Sequence, residues 1–393
     1  MYPTLYHMFY DLFAVDWAFL KPLNSFGMMV ALAFVAAAYV YRKEIIRKEE
    51  AGLLETSFRK EWVGKGVEWA EVIINGGIGF LLGFKIVYVI LYPAVLDDFQ
   101  HYVMSSNGSW IGAFVVAALL GGYTYYRHNK ERLPEPYLEE KEIKPHHHIG
   151  PITFVALISG LVGAKLFAYL EDPQPLGEFF ADPFSGMTIY GGLICGFVSC
   201  YIYVRKHRLH PAHMMDAVAP ALILAYGIGR MGCHLSGDGD WGIEHPEPNP
   251  GWIPDWLWSY DYPNNILDQG TLIADCPYPE YCHRLTVPVY PTPLYEIIMC
   301  LGIFSILMWL RRKINIVGMI FFIYLMFNGL ERFLIESIRV NDTYDIFGYA
   351  ITQAQIISTC LFFLGVVGII FLWKKPDFLD KLLMPKELEK TDS

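Results

Sequence analysis

Charge is scarce in this sequence, and what there is lies unevenly. Of 393 residues only 18% are Asp, Glu, Lys or Arg, while 54% are hydrophobic, and the mean hydropathy is +0.31. That poverty excludes an ordinary soluble globular protein. A short charged start followed by an apolar core and a small-residue cleavage site is also missing, so no signal peptide is expected. No cysteine pair has the CxxC spacing of a thiolate metal site. His146, His147 and His148 do not share one helix face, and no carboxylate or Cys is spaced to join them, so they make a poor metal site. The net charge of −10 does not speak for or against a nucleic-acid surface, because the basic residues follow a membrane pattern.

What is present is long apolar blocks. Stretches of about 20 such residues read as transmembrane helices. Nine are predicted, near 24–42, 71–94, 109–126, 149–170, 184–204, 213–235, 292–310, 315–335 and 350–373. The expected fold is an all-α polytopic membrane protein, 1–393 forming one integral membrane domain. Loops after odd-numbered spans hold 23 of the 30 Lys and Arg residues; the other side holds Lys21, Arg284, Arg332 and Arg339. Positive charge stays cytoplasmic. The N-terminus is therefore expected outside and the C-terminus in the cytoplasm. Loop 127–148 is charged and is expected to be mobile. The external stretch 236–290, rich in Trp, Tyr, Pro and Asp, reads as a capping loop or as a substrate lid on the outer leaflet. Cys276 and Cys282, the two thiols clearly outside, are expected to form a disulfide. The other five cysteines read as apolar fillers.

An ionisable group inside a span costs roughly 2.5–3.5 kcal/mol on insertion scales, so each is a candidate for function. Arg230 falls near the outer end of the sixth span. Glu331, Arg332 and Glu336 fall at the outer end of the eighth. Glu296 lies one turn into the seventh, Tyr190 at the start of the fifth, Lys165 in the outer third of the fourth, and Gln353 and Gln355 at the start of the ninth. Polar groups of six helices are thus expected at one depth, with nothing comparable on the inner side. Each has a plain alternative. A lone arginine at a span end snorkels to headgroups, which is the first reading of Arg339. Glu296 pairs an arginine for structure alone. The glycines of "YGGLICGF" only let helices approach. Coincidence in depth and the presence of both signs favour a site. Arginine matches a phosphate bidentately and stays charged when partly dehydrated, so a phospholipid headgroup is the natural ligand, with a carboxylate, tyrosine or histidine to move a proton.

Four blocks in order carry a resemblance: "GAKLFAYL" with "SGMTIYGGLICGF", "MDAVAPALILAYGIGRMGCHLSGDGDWG", "YPTPLYEIIM" and "NGLERFLIESIR". Over about 150–360 the chain resembles the prolipoprotein diacylglyceryl transferases, and the block around Arg230 is the specific one. The resemblance implies a transferase of lipoprotein biosynthesis in the bacterial cytoplasmic (inner) membrane, its site opening to the outer leaflet. It would move the diacylglyceryl group of phosphatidylglycerol onto the lipobox cysteine thiol of a prolipoprotein signal peptide, form a thioether and release glycerol phosphate. Its partners would be those two substrates and membrane lipids, without nucleic acid, metal or cofactor. Arg230 matches the signature arginine, Arg332 and Glu336 the later arginine and acid, Glu296 the acid after "LY", and Gln355 a glutamine of the last span. Lys165 stands where arginine is usual, which keeps the charge and loses the fork.

The chain departs from the family's pattern in places. Tyr190 replaces a histidine before Gly191 and Gly192. Cys233 and His234 replace asparagine and phenylalanine after Gly229, Arg230 and Gly232. Asp238 and Asp240, ahead of Gly242, replace a glutamate with one extra residue, and Phe26 replaces a tyrosine. The expected catalytic set is Arg230, Arg332, Tyr190, His234 and Glu296. The expected substrate-binding set is Lys165, Gly191, Gly192, Gly229, Gly232, Cys233, Asp238, Asp240, Gly242, Glu336 and Gln355. Nine spans exceed the family's usual seven, so 71–148 is expected to be an inserted helix pair with a cytoplasmic loop. The alternatives are a transporter of an anionic solute and an inactive phospholipid-binding relative. "GFLLGFKIVYVIL" (79–91) and "GLVGAKLFAYLE" (160–171) look alike, but both are expected to run outward, which is no inverted repeat.

Overall fold

A computed structural model describes residues 1–96, 102, 105–173, 187–276, 278, 280–341, 343–346 and 349–384. The described chain is mostly helical, with three short two-stranded ladders. Its long helices are α2 (Ser25–Glu50), α3 (Trp69–Leu91), α4 (Trp110–Lys130), α5 (Ile149–Glu171), α6 (Ile189–Lys206), α7 (Pro211–Ser236), α8 (Thr292–Leu310), α9 (Met319–Glu336) and α10 (Gln353–Lys374). Helix α1 (Leu5–Phe13) precedes them and the short α11 (Phe378–Leu383) follows. The strands are β1 (Ser57–Val63), β2 (Tyr137–Ile143), β3 (Thr271–Leu272), β4 (His283–Arg284), β5 (Thr343–Ile346) and β6 (Tyr349–Thr352). Six helices, α2, α3, α5, α7, α8 and α10, are long and apolar enough to cross a membrane. Helices α4, α6 and α9 coincide with predicted spans but fall below that mark, their ends being polar ("YRHNK", "YVRK", "LERFLIE"). Residues 184–186, expected to open the fifth span, lie outside the described residues.

The chain divides into two compact units. One holds Met1–Val15, Leu23–Glu55 and Pro145–Ser393; the other holds Asp16–Pro22 and Thr56–Lys144. In the larger unit α7 is the central helix. Some 56% of its most apolar window is buried, against 11–28% in the other five membrane-length helices. One face, with Met214, Ala217 and Ala221, packs on Val40, Tyr41 and Ile45 of α2 and on Ile149, Ile152 and Val204. The other, with Ala219 and Ile223, packs on Cys300, Ile303 and Leu307 of α8, on Ile320 and Ile323 of α9 and on Leu372. Alanines at 217, 219 and 221 keep α7 thin where neighbours close in on both sides. Pro211 at its first position is pre-set for the helix. Gly237, at φ 62° in the left-handed region, ends it.

Several boundaries differ from the sequence reading. Helix α2 runs to Glu50 rather than ending at 42, because Glu44 and Lys48 are buried and paired and so extend its inner face. Residues 349–352 are strand β6, and α10 begins at Gln353 behind a capping box in which Thr352 and Gln355 satisfy each other's backbone N–H. The 236–290 stretch is a folded cap. Tyr262 and Asn265 are buried, and Ile266 N–H donates to Ser236 O at 2.9 Å. Cys276 and Cys282 are disulfide-bonded, their Cα atoms 5.6 Å apart.

In the smaller unit α3 and α4 form a hairpin. Loop 127–148, expected to be mobile, instead supplies β2, which pairs antiparallel with β1 from Ser57↔Ile143 to Val63↔Tyr137. Its charges form a continuous run, Glu139–Glu142, on a solvent-exposed strand, and Lys60 faces Glu140 across the ladder. The hairpin repeats the packing of α5 on α6. A Cβ added at Gly83 would fall 2.8 Å from Val116 Cβ, and one at Gly163 2.7 Å from Cys195 Sγ. A Cβ at Gly112 would meet Val87 Cγ1 at 2.8 Å, and one at Gly191 would meet Phe167 Cγ at 2.7 Å. Lys85 and Lys165 each follow their glycine by two residues. Lys85 Nζ donates to the carbonyls of Tyr102, Ser105 and Asn107 at 3.0, 2.6 and 3.0 Å.

Candidate functional site

Glu296 is the hub of a charged cluster where α7, α8 and α9 meet. It lies one turn inside α8 and is wholly buried. Tyr226 Oη donates to Glu296 Oε1 at 2.7 Å. Arg230 Nε stands 3.1 Å from Oε2, an ion pair without hydrogen-bond alignment. Arg332 Nη1 lies 3.4 Å and Arg339 Nη1 3.9 Å from Oε1. Position sets these contacts: Tyr226 and Arg230 are four residues apart on α7, hence on one face.

Asp240 is the second hub. Its two carboxylate oxygens are taken by Arg230 Nη1 and by Arg339 Nη2. It sits where the chain leaves α7 through Gly237 and Gly239, both at positive φ. It is held there by Thr292 Oγ1, which donates to its carbonyl at 2.8 Å, and by the Gly242↔Arg339 bridge. Burial alone would raise its pKa, but Arg230 and Arg339 outweigh burial and hold it below the ordinary carboxylate range. Asp238 goes the other way, raised by burial and by the charge of Asp240. Cys233 Sγ lies 3.5 Å from Asp240 Oδ2 and 3.7 Å from Arg230 Nη1.

The third pairing is local. Arg332 Nη2 is 3.0 Å from Glu336 Oε2, one turn along α9, and Asn341 Nδ2 donates to Glu336 Oε1 at 2.6 Å. Glu331 is buried, and neither of its side-chain oxygens has a hydrogen-bond partner.

Arg230, Arg332, Glu296, Glu336, Asp240 and Cys233 are therefore brought together. Gly242 is in the same wall; Gly232 lets α7 approach Phe26, whose Cα would sit 3.2 Å from an added Cβ. Tyr190, half-buried at the start of α6, lies in the electrostatic field of Arg332 and Glu336. Lys165 is half-buried on α5, next in sequence to Ala164, whose carbonyl accepts from Thr188 N–H at 3.0 Å, just ahead of α6. Gly191 and Gly192 line that α5–α6 contact, while an added Cβ at Gly229 would meet open space. His234 faces the cap: its Nδ1 is 3.4 Å from Tyr262 Oη. Gln355 is engaged in its capping box.

Sequence reasoning missed Arg339, read as a snorkelling residue. It is nine-tenths buried and bridges both hubs. No helix-face spacing could have found it, since α9 ends at Glu336 and Arg339 lies beyond it, seated by its bridge to Gly242. The opposite end of the helices, expected to hold nothing comparable, was also misread. At the far end of α7, Glu44, Lys48, His213 and Asp216 are buried, and Arg311 pairs with Glu44. Asp216 accepts from Gly318 N–H at 2.7 Å and Phe321 N–H at 3.0 Å, capping α9. These charges are spread over α2, α7 and the α8–α9 turn, so no single segment displayed them. His146, read as lacking a partner, pairs with Glu49 at 2.8 Å.

A cavity of about 470 Å³ opens beside the Gly242–Arg339 bridge, its lining mixed: Trp241, Leu285, Val287, Val289 and Val340 with Glu244, Gln269 and Thr286.

A family model described as "Prolipoprotein diacylglyceryl transferase" matches residues 109–371. Three relatives carry the name "Phosphatidylglycerol--prolipoprotein diacylglyceryl transferase". The Clostridium tetani protein is 29% identical over 196 residues, covering 49% of this chain and 68% of its own. That of Corynebacterium glutamicum is 30% identical over 233 residues, covering 56% and 68%. That of Staphylococcus carnosus is 26% identical over 289 residues, covering 70% and 91%.

Proposed function

The chain belongs to the prolipoprotein diacylglyceryl transferase family, and from that premise we propose how its site works: it transfers the diacylglyceryl group of phosphatidylglycerol to the lipobox cysteine of a prolipoprotein. The observation that carries the reading is the Asp240 carboxylate held between Arg230 and Arg339. It marks the place where two guanidinium groups converge on one anion. Asp240 lies on a loop and is a third exposed, whereas Glu296 is wholly buried. Asp240 is therefore the carboxylate that yields to an incoming phosphate, and Glu296 stays to hold the arginines.

The reaction then follows. The substrate thiol gives up its proton, its sulfur attacks the glycerol carbon, and the C–O bond to phosphorus breaks. The electron pair leaves with the glycerol phosphate, whose growing charge Arg230 and Arg339 stabilise, with Arg332 behind them through Glu296. Lys165 and the Gly191–Gly192 backbone border the headgroup. The cavity beside Gly242, where Trp241, Leu285, Val287, Val289 and Val340 stand with Glu244, Gln269 and Thr286, suits a mixed peptide segment such as that around a lipobox cysteine. Purified protein is expected to move labelled diacylglycerol from phosphatidylglycerol to a lipobox peptide. Binding of the lipid without transfer would leave the inactive-relative reading, and uptake of an anion into vesicles without transfer would favour a transporter.

Tyr190 and His234 are the two candidates for handling the thiol proton: the His234 imidazole can accept it, whereas the Tyr190 hydroxyl, already protonated, can only relay it by passing its own proton on to a carboxylate such as Glu336, whose charge it feels. Tyr190 lies beside Arg332 and Glu336, while His234 points to Tyr262. Tyr190→Phe is expected to lower transfer about 10²-fold or more, the scale of one acid–base group, and His234→Ala much less. The reverse order of losses, measured on both variants, would give the proton to His234.

The site opens to the outer face of the bacterial inner membrane in this reading, by the basic-residue asymmetry. A reporter fused near residue 130 is expected in the cytoplasm and one near 260 outside; both on one side would overturn that orientation. The 71–148 segment is an inserted helix pair and a copy of the 149–206 pair, supported by the shared glycine packing. Ser57 and Ile143 are ladder partners, about 5 Å apart. Excising 58–142 with a short turn is therefore expected to leave transfer within a few-fold. Complete loss in a variant that still melts cooperatively would tie the pair to the chemistry.

A further inference from the structure

The strongest group outside the arginine cluster is at the inner end of α7. His210 is its N-cap residue, and its ring does not cap the helix. His213 follows three residues on, and the two ring centroids are 4.8 Å apart. Both residues are more than nine-tenths buried. Asp380, on α11, reaches them from the other end of the chain: its Oδ1 lies 3.4 Å from His210 Nε2 and 3.9 Å from His213 Nε2. All three atoms fall within 4.8 Å of one another. We propose that His210 Nε2, His213 Nε2 and Asp380 Oδ1 form a site for a divalent transition metal ion of the zinc class, which fastens α11 to the first turn of α7.

The geometry and the donor set agree. Tetrahedral bonds of about 2.0–2.1 Å place ligand atoms roughly 3.3 Å apart. One of the two distances to Asp380 meets that value and the other needs about half an ångström. Two imidazoles and a carboxylate suit zinc, cobalt or nickel, whereas calcium and magnesium ask for oxygen alone. Asp380 is 36% exposed at its side chain, which leaves a way in and a fourth position for water. Without the ion, His210 Nε2 is 3.1 Å from the Asp380 carbonyl, and Arg205 Nη1 donates to Leu383 O at 3.2 Å, so α11 is already seated. Lys48 Nζ lies 3.3 Å from His213 Nδ1, on the ring edge away from the site, and 3.8 Å from Asp216 Oδ2. With metal on Nε2 the His213 proton sits on Nδ1, and Lys48 turns to Asp216. The site is remote from the reaction: Asp216 and Arg230 are 14 residues apart on α7, about 21 Å of helix.

The test uses full-length protein without a histidine tag, in detergent, with Co²⁺ as the probe. One equivalent per chain is expected to give the visible bands of tetrahedral cobalt, which Zn²⁺ then removes. His213→Ala and Asp380→Asn are expected to weaken binding by more than the roughly 10–100-fold that loss of an outer-sphere partner costs. Zn²⁺ is expected to raise the melting temperature of the parent protein and not of Asp380→Asn, whose partly exposed position makes a folding defect no part of the readout. Diacylglyceryl transfer should be unchanged in Asp380→Asn. Absence of stoichiometric cobalt bands in the parent protein, or bands undiminished in both His213→Ala and Asp380→Asn, overturns the site.

Discussion

Arg230→Ala is expected to lower transfer from phosphatidylglycerol to a lipobox peptide by roughly 10²–10³, or about 3–4 kcal/mol, the cost of losing one oriented donor to developing charge. Arg230 touches both hubs with separate nitrogens, Nη1 on Asp240 and Nε on Glu296 at 3.1 Å, closer to Glu296 than Arg339 at 3.9 Å. Its side chain is 12% exposed, so water does not replace it freely. Arg332→Ala should lose a similar factor, because Arg332 spans Glu296 and Glu336. Lysine at 230 should restore little: a single ammonium cannot offer two parallel donors. The loss should fall on kcat rather than on KM alone, since the charge in question grows only as the C–O bond breaks. Both variants must be shown in the membrane with a cooperative melt. Near-parental transfer by either folded variant would remove the phosphate clamp from the mechanism.

The helices were legible because each apolar block is continuous along the chain. Helix α7 could be read as a span from its own residues, and the specific block around Arg230 could be assigned to one end of it. The charged site was legible to the extent that its members share a depth, which follows from position along a helix. Who touches whom was not. Glu296 meets four partners from two other helices and a loop, and nothing in "PTPLYE" says so. Arg339 was set aside because it lies past the end of α9 at Glu336, where an arginine usually reaches for headgroups. Its burial depends on the Gly242 bridge, a contact across almost a hundred residues. The inner cluster was invisible for the same reason: Glu44 sits in a stretch whose other charges, "YRKEIIRKEE", read as a solvated loop. Strand β2 was overlooked because its charge run, "LEEKE", has no period-two alternation and reads as a solvated loop, and its pairing partner β1 lies about eighty residues earlier in the chain.

Glu296 is where stability and chemistry should separate. Glu296→Ala would leave Arg230 and Arg332 facing each other with no carboxylate between them, and Tyr226 without its acceptor. Removing one partner of a buried ion pair costs about 3–5 kcal/mol, because the charge left behind is uncompensated. The variant should therefore melt far below the parent protein and show no transfer. Glu296→Gln keeps the volume and can still accept from Tyr226, but it removes the negative charge that holds two arginines in a buried place. Its melting temperature should fall by less than that of the alanine variant, while its transfer rate should still fall by about 10² or more, since the guanidinium groups lose their orientation. Circular dichroism melts in detergent, run beside the transfer assay on both variants, give the two axes. If Glu296→Gln matches the parent protein on both, Asp240 alone orders the arginines, and Glu296 is a passive buried acid. If instead the rate falls only in proportion to the folded fraction, Glu296 serves stability and has no part in aiming Arg230 and Arg339 at the leaving phosphate or in holding Arg332 behind them.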